Sequence, residues 1–378
     1  MNRQSVGPEA QSHPLHCEIQ AWSQDWHLAQ VYTGFALLSA DHRIHLRQSF
    51  TRGGSADASK PQHLRNAATA HVKVIVDGST QLYYDTHDAP EIDEQGASAS
   101  DVYFKRSFSP ETIPPSLAAK VRPLGLNYAV YLDGFDRFEL QRALADLSSA
   151  REKTVLLARL VARAFDMQVV SQGYRPTVMA MHAAPRPSDA PRVLFMARAW
   201  DPADQPDRER CQQEERAEIN ETRARCVAML RKEFGAAFTG GFKHTPYALE
   251  HYRHVLLDDP ALASKRRYLD LLASYPICVA TTGLHGSIGW KFGEYVAFSK
   301  AVVSERLLYS VPGNLIAGRH YLEFRTPEEC VDAAVTLFKD DELRRNMMQA
   351  NHEYYEGYLR PDRIVARTLE AAIGCRLG

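Results

Sequence analysis

Long apolar runs are missing from this 378-residue chain. None approaches the roughly 18–20 residues that a bilayer-spanning helix requires. The opening MNRQSVGPEAQSHP also lacks the apolar centre of a secretory signal. An excess of one charge is missing too: 45 Lys and Arg against 46 Asp and Glu leave a formal net charge of -1. That balance removes the electrostatic basis for a nucleic-acid coat or a strongly basic membrane patch. Cysteine is sparse, and Cys17, Cys211, Cys226, Cys278, Cys330 and Cys375 form no CxxC pair. Neither a disulfide frame nor a zinc knuckle is expected. A GxGxxG after an early strand, a GxxxxGK[ST] loop and a DxD metal motif are all absent. These absences predict a cytoplasmic protein with no nucleic-acid partner and at most peripheral membrane contact.

What is present is the composition of a globular enzyme-sized chain, 45% apolar and 24% charged, long enough for two or three domains. Residues 1–14 read as a disordered leader. Short β-rich runs then alternate with helical periodicity. Strands are expected at 16–22, 43–50, 71–78, 81–88, 101–108 and 120–131, with helices at 25–40 and 138–165. Residues 182–191, HAAPRPSDAP, carry Pro185, Pro187 and Pro191 and read as a linker. Beyond it strands at 192–200, 236–242, 277–283 and 300–305 alternate with helices at 216–234, 265–274, 289–298 and 326–340. Strands separated by helices imply parallel sheets covered on both faces. The expected fold is α/β, with two Rossmann-like doubly wound domains facing a cleft. Their boundaries are placed at 15–181 and 192–352, and residues 353–378 form closing helices.

The most informative segment is ICVATTGLHGSIGWKFGEYVAFSKAVVSE, residues 277–305. A buried strand runs into a loop with Gly283, Gly286 and Gly289, and a helix follows at once. Small residues let a ligand approach the backbone, and the free N–H groups of a helix start attract phosphate. The carboxyl end of a parallel strand is also where such sheets bind ligands. Lys291 and Glu294, three apart, share a helix face. A lysine there can neutralise phosphate, and a carboxylate can accept hydrogen bonds from sugar hydroxyls. The plainer alternatives are tight-turn glycines and a surface ion pair.

This segment resembles the donor-binding core of GT-B glycosyltransferases, nearest to the bacterial glycogen-synthase-like group (glycosyl transferases group 1). KAVVSE resembles their G-x-P-V-V-A-S strand, with Ser299-Lys300-Ala301 in place of Gly-x-Pro. The resemblance implies that Glu294 holds the ribose of a nucleotide sugar. A second glutamate is expected eight positions earlier, and here that position is Gly286. Its role at the donor sugar is unfilled or falls to His285 or Ser287. Residues 121–127, VRPLGLN, resemble the element that ends the first domain, and RVLFMARAW the strand that opens the second. Arg198 then stands where a basic residue contacts the donor diphosphate, and Lys243 is the candidate for a second one. EYYEGYLRPDRIVARTLEAA resembles closing helices that cross back onto the first domain. No metal cofactor is implied, because basic side chains and a helix start offset the diphosphate charge in this group.

The first domain would carry the acceptor. Asp85, His87 and Asp88 end an apolar strand, and an inverting transfer needs a general base of such a type. A loop-capping turn accounts for the same residues. Lys105 and Arg106, also at a strand end, suit an anionic acceptor or the donor phosphates, or else are solvated charge. The HxxH pairs His251/His254 and His13/His16 lack the further ligands that specify a metal.

The expected activity is transfer of a sugar from a nucleotide-diphosphate sugar to a hydroxyl of a glycan, lipid-linked or protein acceptor. The alternatives are a catalytically degenerate nucleotide- or glycan-binding protein and a sugar-nucleotide epimerase of the same fold.

Overall fold

The computed structural model describes residues 13–21, 26–50, 70–146, 154, 175–186, 188, 190–205 and 208–377. The expected leader over 1–14, the loop over 51–62 and the latter part of the helix over 138–165 therefore lie largely outside the described residues. The chain divides into two compact units. The first takes in the described residues of Met1–Met179, Ser310–Pro312 and Tyr358–Gly378, and the second those of Ala180–Tyr309 and Gly313–Gly357. No helix among the described residues is long and apolar enough to cross a membrane.

The first unit is built on a six-stranded sheet of β1 (Leu15–Ala21), β2 (Ile44–Phe50), β3 (His71–Val76), β4 (Thr80–Asp85), β5 (Val102–Lys105) and β6 (Val121–Pro123), in the order β2-β1-β3-β4-β5-β6. The α/β class is as expected, but this sheet is mixed rather than parallel. β3 runs antiparallel to both β1 and β4. The cause is local: Asp77 and Gly78 both take positive φ, 47° and 71°. Asp-Gly in that conformation makes the tight turn whose twist suits a hairpin. The strand expected over 120–131 stops at Pro123, which cannot donate to a ladder.

Helix α1 (Ala29–Ala40) is buried along most of its length, and α2 (Glu94–Ser98) and α3 (Arg137–Asp146) are shorter. Alternation along β4 and β5 sends Tyr84 and Phe104 to one face, where they stack at 5.4 Å. Phe35 of α1 meets Tyr84 edge-on, and the Tyr84 hydroxyl pairs with that of Thr368 at 2.7 Å.

The second unit holds a five-stranded, wholly parallel sheet of β7 (Val193–Ala197), β8 (Phe238–Phe242), β9 (Ile277–Ala280), β10 (Ala301–Glu305) and β11 (Tyr321–Phe324). Its order is β11-β10-β9-β7-β8. This unit meets the doubly wound expectation. β7 is an interior strand, paired with β9 and β8, and its Val193-Leu194-Phe195-Met196 is a continuous apolar run of the kind a strand covered on both faces requires. The connecting helices are α4 (Arg210–Phe234), α5 (Pro246–His251), α6 (Lys265–Ser274), α7 (Trp290–Ala297), α8 (Pro327–Lys339) and α9 (Asp341–Tyr354). The chain leaves β7 towards β8 on one side, then returns to place β9 on the other. The strand order therefore reverses between β7 and β9, and the loops leaving these two strands diverge. That divergence is where open parallel sheets form a ligand crevice.

The last helix, α10 (Pro361–Ile373), belongs to the first unit and packs on α1. Gly34 sets their approach: a Cβ at this position would stand 2.2 Å from the Pro361 carbonyl oxygen and 2.5 Å from a Val365 methyl. Gly34→Ala is expected to destabilise the protein by about 1–3 kcal/mol, the usual cost of overpacking, read as a lower midpoint in urea denaturation. An unchanged midpoint would mean that the helices separate without strain.

Candidate functional site

In the first unit, the carboxyl ends of β4 and β5 bring together Asp85 and Lys105, which are register partners in the parallel pair. Tyr103 and Lys105, two apart, fall on one face of β5. Both donate to Asp85 Oδ2, the Lys105 ammonium from 2.9 Å. Asp85 Oδ1 accepts the backbone N–H of His87 at 2.9 Å and faces His87 Nδ1 at 2.7 Å. Burial alone would raise the Asp85 pKa. The bond to His87, the Lys105 charge and the Tyr103 hydroxyl overcome it and hold the carboxyl well below the usual carboxylate range. Tyr83 stacks on Tyr103 at 4.8 Å and donates to Asp93 at 2.6 Å, and His71 stacks on Tyr83 at 5.0 Å. The Asp85–Lys105 pair thus rests beside a layer of rings from β3, β4 and β5.

These contacts redistribute the expected roles. Asp85 is 2% exposed, and both its oxygens are taken up by Tyr103, Lys105 and His87. The Asp88 carboxylate binds Arg106. His87 keeps 26% of its side chain exposed, with Nδ1 engaged by Asp85, and an imidazole is the side-chain type that exchanges protons near neutral pH. Lys105 is 1% exposed and belongs to Asp85, and Arg106 is buried against Asp88. Neither is placed as an anion receptor, contrary to expectation: an apolar-flanked strand end buries its bases and supplies each with a carboxylate.

In the second unit, the reversal point is fastened by one side chain. Arg223 of α4 is buried, and its guanidinium donates from Nη1 to the Arg198 carbonyl at 2.8 Å. Nε donates to Thr281 Oγ1 at 2.8 Å, and Nη2 to the Thr282 carbonyl at 2.9 Å. Burial, together with the Arg198 charge and against that of Glu305, brings its pKa down to about 10. Glu305, ending β10, accepts both the N–H and the hydroxyl of Thr282, at 2.6 and 2.7 Å. Asn220, one turn before Arg223, binds both the N–H and the carbonyl of Trp200, at 2.8 and 2.6 Å. From sequence the charged run over 201–225 reads mainly as a solvated loop and helix start, with Asn220 and Arg223 within reach of a cleft because the helix follows the strand that ends at Arg198. The signal lay in their three-residue spacing on one stripe of α4.

The loop from β9 to α7 is held in turn. Gly283 N–H donates to the Ser287 carbonyl at 2.8 Å, and Ser287 N–H to the Leu284 carbonyl at 3.1 Å. His285 and Gly286 both have positive φ, 59° and 64°. The His285 N–H is capped by Glu215 of α4, and its carbonyl accepts the Tyr309 hydroxyl. A side chain at position 286 would be strained by that φ and would meet Leu308 at 2.6 Å. This is a physical reason for glycine where the resemblance leads one to look for a glutamate. Arg198 and Lys243 are both exposed at the carboxyl ends of adjacent strands, where the Lys243 N–H donates to the Ala197 carbonyl at 2.9 Å. Arg198 also lies over the Trp200 ring, 4.5 Å from its centroid.

Glu294 does not lie open to a ribose. It is 3% exposed, and its carboxylate is bound by the Lys265 ammonium at the start of α6. Burial would raise its pKa, but the charges of Lys265 and Lys291 lower it. Lys291 sits over the Tyr268 ring at 3.9 Å. Burial pulls its ammonium down to about 8, assisted by Lys265 and opposed by Glu294. The expected Lys291–Glu294 pair is therefore an interior cluster completed by a lysine 29 positions upstream. Among the described residues no group of three or more His, Cys, Asp or Glu side chains could hold a metal ion.

No protein-family model matches the chain, and no curated protein does. Solved structures similar to it include HepE from Anabaena in complex with UDP and glucose (10% identity, 92% of this chain and 94% of that one, TM-score 0.40). An alpha1,3-fucosyltransferase with GDP is another (10% identity, 98% and 94%, TM-score 0.39). UDP-GlcNAc 2-epimerase from Neisseria meningitidis, bound to UDP-GlcNAc, is a third (13% identity, 74% of this chain, 63% of that one, TM-score 0.36). Likeness at this level decides neither fold nor function, and both rest on the geometry above.

The Asp85 network makes a pH prediction. A carboxyl depressed in the folded state contributes stability that is present above its unfolded pKa of about 3.9 and is lost as pH falls towards the folded value. Wild-type stability should therefore fall more steeply than that of Asp85→Asn from about pH 5 down to pH 2. At neutral pH the variant should be less stable by about 3–5 kcal/mol, since Lys105 is left buried without a counter-charge. Urea unfolding across this range checks both; parallel curves would remove Asp85 from acid stability.

Proposed function

We propose that this chain is a nucleotide-sugar-dependent glycosyltransferase of the GT-B class. The observation that carries the reading is the fastened reversal point of the second sheet. There Arg223 ties the exits of β7 and β9, and the exposed bases Arg198 and Lys243 stand at neighbouring strand ends. A crevice of that kind, with a glycine loop leading into a helix, suits a phosphorylated ligand. Arg198 and Lys243 neutralise the charge that gathers on the departing diphosphate, so the donor is held without a metal. Gly286 and Ser287 keep the backbone close to the donor, and His285 borders it. Lys291 and Glu294 support α7 from within; Glu294 meets a ribose only where Lys265 releases it.

In the first unit, His87 is the general base. The acceptor hydroxyl gives its proton to the imidazole, its oxygen bonds to the anomeric carbon, and the bond from that carbon to the diphosphate breaks. Asp85 fixes the tautomer and stabilises the imidazolium that forms. The anomeric centre inverts. The acceptor is a hydroxyl of a glycan, free, lipid-linked or on a protein, met in the cytoplasm or at the inner face of the membrane. Bacterial polysaccharide assembly is the setting this chemistry fits.

The test is titration of the full chain with UDP and GDP, with and without a divalent cation, followed by incubation with nucleotide sugars. Binding of a nucleoside diphosphate that needs no cation supports the reading; absence of binding to either rejects it. An epimerised sugar formed without acceptor identifies an epimerase instead. His87→Gln is expected to lower kcat for transfer by about 10²–10⁴-fold while nucleoside diphosphate affinity stays unchanged. Full activity in the variant removes His87 from the chemistry.

A further inference from the structure

Along α4, Arg216, Asn220 and Arg223 stand at i, i+4 and i+7, one buried polar stripe facing the exit of β7. Two of the three are hydrogen-bonded to the strand exits, Asn220 to Trp200 and Arg223 to Arg198, Thr281 and Thr282. Arg216 differs. It is 6% exposed, yet among the described residues its Nε has no hydrogen-bond acceptor and it forms no ion pair. Its guanidinium lies 5.4 Å from the centroid of the Trp200 ring. The indole Nε1 of Trp200 is likewise buried without an acceptor. Two shielded donors without acceptors, on neighbouring side chains, are costly to a fold.

Nearby charges do not account for them. Burial lowers the Arg216 pKa, Arg208 and Arg198 lower it further, and Asp204 and Glu215 act against them. But Asp204 is bound by Arg208 and Glu215 caps the His285 N–H. Both carboxylates are engaged elsewhere. The backbone of Trp200 is pinned by Asn220, so the indole is presented in a fixed position beside the exposed Arg198.

We infer that Arg216 and the Trp200 indole N–H form an oxyanion site at the exit of β7, which takes a phosphate group of the ligand. The guanidinium offers the paired donors that match a phosphate edge, and the indole N–H adds a third. The source of that phosphate, the diphosphate of a nucleotide sugar, rests on the reading above; the oxyanion chemistry does not.

Calorimetric titration of the full chain with inorganic pyrophosphate, and with UDP and GDP as competitors, tests the site. Arg216→Met and Trp200→Phe keep the bulk and the ring but remove the donors. Each is expected to weaken pyrophosphate binding by about tenfold, the worth of a charge-assisted bond. Arg216→Met should melt no lower than the wild type without ligand, because it has no internal bond to lose. Wild-type protein that binds no pyrophosphate overturns the site, as do variants that bind it as tightly as the wild type. If Arg216→Met does not fold, Trp200→Phe decides. Pyrophosphate binding that needs Arg216, without competition from UDP or GDP, keeps the oxyanion site and removes the nucleotide-sugar reading. Diphosphate binding indifferent to both substitutions does the reverse.

Discussion

The second unit depends on a single guanidinium. At the point where a parallel sheet reverses its order, two strand exits part, and their last carbonyls lose their ladder partners. Arg223 supplies donors to three oxygens across that gap, and Glu305 closes it from the next strand. A ligand crevice at a reversal point needs an open mouth with immobile walls. Here the walls are held by a buried cation, with the exposed Arg198 on the β7 exit itself and Lys243 on the neighbouring β8 exit.

Buried charge is handled in two ways, seen at Asp85 and at Arg216. Both oxygens of Asp85 have partners, and a lysine, a tyrosine and a histidine converge on this one carboxylate. Such closure fixes geometry, because removal of any one partner would leave a buried group unpaired. Around Arg216 the accounts stay open. A protein retains an unmatched buried donor where something else supplies the acceptor, and local destabilisation of that kind gathers at functional sites.

Much of the fold could be read from the sequence because periodicity is a local property. The strand, loop and helix over 277–305 lie within a few residues of their expected bounds, as do most helices of the second unit. The hairpin between β3 and β4 was legible in Val76-Asp77-Gly78 but was read as two independent strands, which made the first sheet parallel on paper. The chemistry was less legible, because charges acquire their meaning from distant partners. Glu294 faces Lys265 rather than solvent, and nothing in the spacing of Lys291 and Glu294 reveals that. Likewise nothing in the charged run over 201–225 reveals that Arg216 is buried beside Trp200.

The division of the chain has a consequence for its biosynthesis. The second unit is nearly continuous in sequence, whereas the first lacks α10, and with it the contact at Gly34, until the final segment has emerged. On the ribosome the later-encoded unit can complete its core while the earlier one still waits, the reverse of the usual amino-to-carboxyl order. Throughout that interval the apolar flank of α1 stays uncovered, so a stalled or shortened translation product would be the form most prone to capture by chaperones.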